Sequence, residues 1–304
     1  MTPTAGQRPV TPSGLAYGAG AYLLWGGLPL YMVATAPSPA WEIVFARIGF
    51  TLLTCAVLLT ALRRWPDVGR QLGSGRRVGA TALAAVLISA NWAIYTYAVV
   101  SGQTLEAALG YFINPLVSVL AGVVMFGERL RRAQWVSVGL SVSAVVVMVT
   151  GHGSFPWLAV TLALSFGGYG IVKSRLATSV SPVASLASET VLLMPVFAAG
   201  MWWLATTGQL TMLSHGAGHF WILAASGLVT AVPLILFGAA ASRLPLSLLG
   251  LLQYLNPVIQ FLIGLLVFGE SMSAGRWAGF ILIWCALLVL SWDSLRAARR
   301  QPRG

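Results

Sequence analysis

The sequence predicts an all-α integral membrane protein of ten transmembrane helices, built as two inverted five-helix repeats with both termini cytoplasmic. An apolar composition, an alternation of basic connections and a repeated segment lead there. Hydrophobic residues make up 58% of the chain and charged residues only 8%, against roughly a quarter charged in soluble domains. A soluble fold of 304 residues could not cover itself with so little polar surface. The net charge of +11 does not mark a nucleic-acid binder, because the basic residues fall in short clusters between apolar runs. Cys55 and Cys285 both lie inside apolar runs, which supports neither a disulfide framework nor a metal cluster.

A helix that crosses the roughly 30 Å hydrocarbon core needs about 20 mostly apolar residues. Such runs lie near 15–34, 40–62, 78–100, 105–126, 133–149, 156–172, 183–205, 220–241, 245–268 and 275–292. Residues 1–14 read as a cytoplasmic tail, 15–150 and 156–292 as the two repeats, and 293–304 as a basic cytoplasmic tail. No small-residue cleavage pattern closes the first run, so it reads as a retained helix rather than a signal peptide.

Basic connections stay on the cytoplasmic side. The second connection carries Arg63, Arg64, Arg70, Arg76 and Arg77, and the fourth Arg129, Arg131 and Arg132. The sixth carries Lys173 and Arg175, the eighth Arg243, and the tail Arg296, Arg299, Arg300 and Arg303. Among the odd-numbered connections Arg276 is the exception. The expected setting is the plasma or inner membrane, crossed many times.

The segment from Asn114-Pro115 onward, NPLVSVLAGVVMFGERLRRAQW, returns as NPVIQFLIGLLVFGESMSAGRW from Asn256-Pro257. At one constant offset Asn114, Pro115, Gly122, Phe126, Gly127, Glu128 and Trp135 match Asn256, Pro257, Gly264, Phe268, Gly269, Glu270 and Trp277. Two unrelated apolar helices would not share polar and turn residues in register. Five is an odd number of crossings, so the second copy enters from the opposite side. Secondary transporters use such inverted repeats to alternate access to a central site.

Candidate working residues follow from depth and chemistry. Asn114 and Asn256 lie near the bilayer centre, each before a proline that lacks an N–H and disrupts the helix ladder. Broken helices of this kind point to a substrate site; the alternative is a packing kink whose asparagine caps its own backbone. Arg47 lies well inside the second span, aimed at an anionic substrate or at a carboxylate on another helix. Glu42, five residues earlier, is about 140° away round the helix and is no same-face partner. Glu106 is one possible partner. Glu189, in the seventh span, is the deepest carboxylate and the candidate for proton coupling, a structural ion pair being the alternative. Glu42 and Glu106 read as interfacial.

Asn91, Trp92 and Tyr95 share one face of the third span, which lines a cavity or meets lipid or neighbouring helices. Tyr111 and Gln253 lie beside the two asparagines and complete the expected pathway. Glu128 and Glu270 are placed to favour the dipole of the helix that follows each. His215 and His219 have the spacing of two ligands but no third, and read as solvated. No P-loop, catalytic triad or carboxylate pair is present, so neither an enzyme nor a cofactor is expected.

Several segments resemble the RarD branch of the EamA-type transporters, within the drug/metabolite transporter superfamily. They are AYLLWGGLPLY at 21–31, the E-I-x-x-x-R of Glu42 to Arg47, Asn91-Trp92, LEAALGYFINPLVSVLAG at 105–122, GERLRRAQW at 127–135, PLSLLGLLQYLNP at 245–257 and the Glu189 helix. The resemblance implies an inner-membrane permease of ten helices in two EamA repeats. Relatives carry a histidine just before the second-span arginine and a Trp-Ser pair just after it, where this chain has Ala46 and Phe50-Thr51. A proton relay through that histidine is unavailable here, which directs the expectation to Glu189. The expected function is secondary-active movement of a small metabolite or drug-like compound, with the lipid bilayer as the other partner. The rival readings are a passive channel, which would show a continuous polar stripe, and a non-transporting scaffold.

Overall fold

The computed structural model describes residues 11–126, 132–152, 155–176, 180–241, 243–244 and 252–300. Regular structure among them is entirely helical. Gly127, Glu128, Arg129, Arg131, Arg303 and the run 245–251 lie outside the described residues.

The first half holds α1 (Pro12–Gly26), α2 (Leu28–Ala34), α3 (Ala40–Ala61), α4 (Trp65–Leu72), α5 (Gly75–Val100), α6 (Thr104–Phe126) and α7 (Arg132–His152). The second holds α8 (Trp157–Leu176), α9 (Pro182–Leu192), α10 (Met194–Thr206), α11 (Gly216–Ala224) and α12 (Ser226–Ala241). It continues with α13 (Leu255–Leu262), a π-helical segment (Ile263–Val267) and α14 (Ala274–Arg300). Among the described residues four helical runs are long and apolar enough to cross a membrane: Ala40–Ala61, Gly75–Val100, Gly216–Ala240 and Ala274–Asp293. They become five if α9 and α10, bent by 51°, form one span.

The breaks differ from those expected at the Asn-Pro pairs. α6 runs through Asn114-Pro115 as one helix. Pro257 stands in the first turn of α13, where a missing N–H leaves no ladder bond unmade. The chain bends elsewhere, at Gly27 before Pro29 of α2 and at Leu193 before Pro195 of α10. In both cases the proline cannot continue the preceding ladder, so a new helix starts.

Apolar side chains fill the interior and also cover the exterior, which a soluble protein could not sustain. Trp202 and Leu266 are each 73% exposed, whereas Glu42, Thr51, Ser188 and Glu189 are 0% exposed. Lipid covers an apolar exterior without cost, and charged side chains turn inward to find partners. The two halves interlock. α1 packs on α12 and α13, and α8 packs on α5 and α6. α3 lies against α9, α10 and α12, and α7 runs beside α14. Small residues permit this approach: a Cβ on Gly227 of α12 would stand 2.2 Å from the Phe50 carbonyl oxygen of α3.

Candidate functional site

The interlocked helices leave a cavity of about 40 Å³ at their centre, lined from both halves. That is room for a few waters, so a metabolite enters only if side chains or helices part. α1 and α3 bring Trp25 and Arg47, α5 brings Asn91, Trp92 and Tyr95, and α6 brings Tyr111. The second half supplies Phe166, Thr230, Asn256 and Gln260 from its helices and Gln253 from the turn before α13.

Arg47 dominates the electrostatics. It is 3% exposed, its Nε donates to Thr230 Oγ1 at 3.1 Å, and its guanidinium carbon stands 4.9 Å from the centroid of the Trp92 ring. Its Nη1 has no hydrogen-bond partner among the described residues. The sequence left Arg47 a choice between a substrate anion and a carboxylate on another helix. Glu42 and Glu189, the fully buried carboxylates among the described residues, are both occupied elsewhere.

Glu189 pairs with Lys173, not with Arg47. Lys173 also donates to Ser185 Oγ at 2.6 Å, while Tyr169 Oη and Ser185 Oγ each donate to the carboxylate at 3.2 Å. Lys173, expected in a basic connection, thus reaches back into the protein along its own aliphatic stem. Glu42, expected at the membrane interface, is fully buried within the protein. Its oxygens accept from the Thr211 amide at 2.9 and 3.0 Å, the Met212 amide at 2.7 Å and the Thr211 hydroxyl at 2.6 Å. Glu106, in the first turn of α6, is half-buried.

His219 joins the Glu42 cluster and is not solvated: its Nε2 lies 2.9 Å from Ser38 Oγ and 3.0 Å from Thr211 Oγ1. His215 is exposed beside it. Among the described residues no group of three metal-ligating side chains is present. Glu270 also departs from expectation. It caps α6 rather than the helix that follows it, accepting from the Thr104 amide at 2.8 Å and the Leu105 amide at 2.9 Å.

Around Arg47 the predicted polar and aromatic residues converge, with one exception. Tyr111 Oη donates to Asn91 Oδ1 at 3.1 Å, and Asn91 Nδ2 donates to Leu162 O at 3.3 Å and Ser165 Oγ at 3.1 Å. The Tyr95 and Tyr111 rings lie 5.8 Å apart. Asn256 Oδ1 accepts from Gln260 Nε2 at 2.9 Å, and the same nitrogen donates to Trp25 O at 3.2 Å. Asn114 does not line the cavity. It is 2% exposed and faces α8, where a Cβ on Gly167 would stand 3.1 Å from its Oδ1. Because α6 is not broken at Pro115, its asparagine stays in the helix–helix seam.

Sequence reasoning missed Thr230 and Gln260. Gln260 had a usable signal, a polar residue four positions after Asn256 and therefore on the same helical face. Thr230 had none, since an isolated threonine in an apolar run is commonplace.

An all-helical integral membrane protein with a polar, aromatic-walled cavity between two interlocked halves is the class that this fold and site define. The family comparison narrows it. The sequence profile of the EamA-like transporter family matches residues 12–150 and again 155–292, so the chain belongs to that family and is of the RarD type. Protein RarD of Streptomyces exfoliatus is 51% identical, over 95% of this chain and 91% of that protein. The uncharacterized transporter YojE of Bacillus subtilis strain 168 is 38% identical over 96% of this chain and 98% of its own. A solved crystal structure at 19% identity superposes with a TM-score of 0.62, covering 93% of this chain and 98% of that one, and shares the fold.

Proposed function

We propose that this chain is a secondary-active permease that moves a small metabolite or drug-like compound across the plasma membrane by alternating access. The cavity carries this proposal: it is built from both halves, holds a buried cation, and is too small in this conformation to admit a solute without rearrangement. In this proposal the chain crosses the membrane ten times, as two inverted repeats with cytoplasmic termini. The reciprocal packing of α1 on α12 and α13 and of α8 on α5 and α6 is what a two-fold relation between halves would produce. The basic connections support the orientation.

Arg47, Asn91, Trp92, Tyr95, Tyr111, Gln253 and Asn256 form the proposed substrate site, with Asn114 supporting α6 from outside it. Proton-coupled export is part of the proposal, with Glu189 exchanging its proton against the ion pair with Lys173. Glu42, tied to the segment before α11, and Glu106 are assigned to helix ends rather than to the proton path.

The test is transport in proteoliposomes of the purified protein, loaded with pooled labelled metabolites, with and without a proton gradient. Saturable flux that the gradient accelerates, and that Arg47→Gln or Asn256→Ala reduces at least ten-fold, is the expected result. Flux linear in concentration would point to a channel instead. No movement of any solute by folded protein would sink the permease proposal in favour of a scaffold.

A further inference from the structure

The cavity walls leave three polar atoms without hydrogen-bond partners among the described residues: Arg47 Nη1, Tyr95 Oη and Gln260 Oε1. Their residues are 3%, 1% and 1% exposed, respectively, and all three line the same cavity. A buried polar atom without a partner costs roughly 1–3 kcal/mol, and more when charged. Each of these atoms is shielded from that small space in this conformation, so the parting of helices that admits a solute would also free them to meet it.

Their chemistry differs in a readable way. Arg47 Nη1 is an N–H donor carrying a full charge. Among the described residues no carboxylate lines the cavity beside it: Glu42 is spent on the Thr211 and Met212 amides and Glu189 on Lys173. Tyr95 Oη donates or accepts. Gln260 Oε1 is an acceptor only, on the far half of the protein. The surfaces between them are aromatic: Trp92 under the guanidinium, Tyr111, Phe166 and Trp25. No Asp or Glu lines the cavity among the described residues.

Building on the transport site proposed above, we infer that the cavity recognises a monocarboxylate with a flat apolar body and a neutral hydrogen-bond donor, and discriminates against zwitterions. The carboxylate pairs with Arg47 and takes the Tyr95 hydroxyl, and the donor reaches Gln260 Oε1. An ammonium group finds no carboxylate to replace its hydration, so a free amino acid is the poorer ligand. A neutral amide of the same shape leaves the Arg47 charge unmatched.

The experiment measures ligand-induced thermal stabilisation and calorimetric affinity of the purified full-length protein in nanodiscs. The probes are 3-phenyllactate, 3-phenylpropionate, phenylalanine and 3-phenyllactamide. Phenyllactate is expected to bind at least ten-fold more tightly than phenylalanine or the lactamide. Arg47→Gln should bring the acid-to-amide ratio near one without lowering the melting temperature of the unliganded protein, since it removes an uncompensated charge. Gln260→Leu should erase the preference for phenyllactate over phenylpropionate while sparing the acid preference. Equal binding of acid and amide, preference for phenylalanine, or binding of none of the four by folded protein would overturn the inference. Phenyllactate counterflow in proteoliposomes separates the two proposals. Tight binding without any flux would retain the site and remove the permease function, while transport confined to neutral solutes would do the reverse.

Discussion

The carboxylate of Glu270 accepts the backbone amide of Thr104 at 2.8 Å, so a residue of the second half caps a helix of the first. The first amides of a helix have no intrahelical partner, and in a membrane protein little water is available to replace one. A capping carboxylate also lies at the positive end of the α6 dipole.

Glu270→Ala is therefore expected to destabilise the protein by about 1–2 kcal/mol, the upper part of the range for losing a cap. Glu270→Gln keeps acceptor oxygen but no charge and should lose less. Thermal unfolding in detergent measures both, and equal loss in the two variants would show that capping is not what Glu270 does.

The Lys173–Glu189 pair predicts a coupled cycle. Glu189 is 0% exposed while the Lys173 side chain keeps 22% exposure. Lys173→Met leaves a buried carboxylate without its cation and should cost about 2–3 kcal/mol, less than the full value for a fully buried pair. The Lys173→Met/Glu189→Met double variant should be more stable than either single variant. Strictly additive losses would mean that the pair does not interact in solution.

Helix approach gives a prediction graded by position. A Cβ on Gly227 would meet the Phe50 backbone at 2.2 Å, and backbone cannot swing aside as a side chain can. Gly227→Ala should push α12 from α3, cost about 2–3 kcal/mol and loosen the Arg47–Thr230 bond. Gly69→Ala, in α4 with nothing within 4 Å of the added atom, should be neutral or slightly stabilising through helix propensity. Melting temperatures of the two variants would decide it, and similar values would refute the packing assignment.

Asp67, in the connection helix α4, offers a pH test. The hydrogen bond from Arg70 lowers its carboxyl below the ordinary aspartate value, and the Ser181 side chain and amide add to that. A lowered folded-state value stabilises the protein above the unfolded value of about 3.9, and the benefit disappears as pH falls through the lower folded one. Asp67→Asn should therefore be less stable than the parent near pH 7, with the difference shrinking below about pH 4. A difference that stays constant across this acid range would rule out the ionised carboxylate as the source.

Much of the candidate site was legible because buried polar residues in apolar helices are rare and costly. Arg47, Asn91 and Asn256 stand out on that ground alone. The residues that escaped did so for physical reasons. Thr230 is chemically unremarkable until Arg47 reaches it from 183 positions away. Glu270 and Glu42 looked local because a sequence shows only their chain neighbours. Each instead serves backbone amides on the other half.

By itself, the sequence determined that the chain is helical and membrane-embedded, and it displayed the recurrence that the family profile matches twice. Those properties rest on composition and periodicity, which are sums over many residues and survive local exceptions. Only the tertiary structure decided which helix each buried charge would meet. It gave Glu189 to Lys173, Glu42 to the Thr211 amide, and left Arg47 facing the cavity. The reason is geometric: a charge in low dielectric takes the nearest partner in space, and spatial order in an interlocked bundle is not chain order.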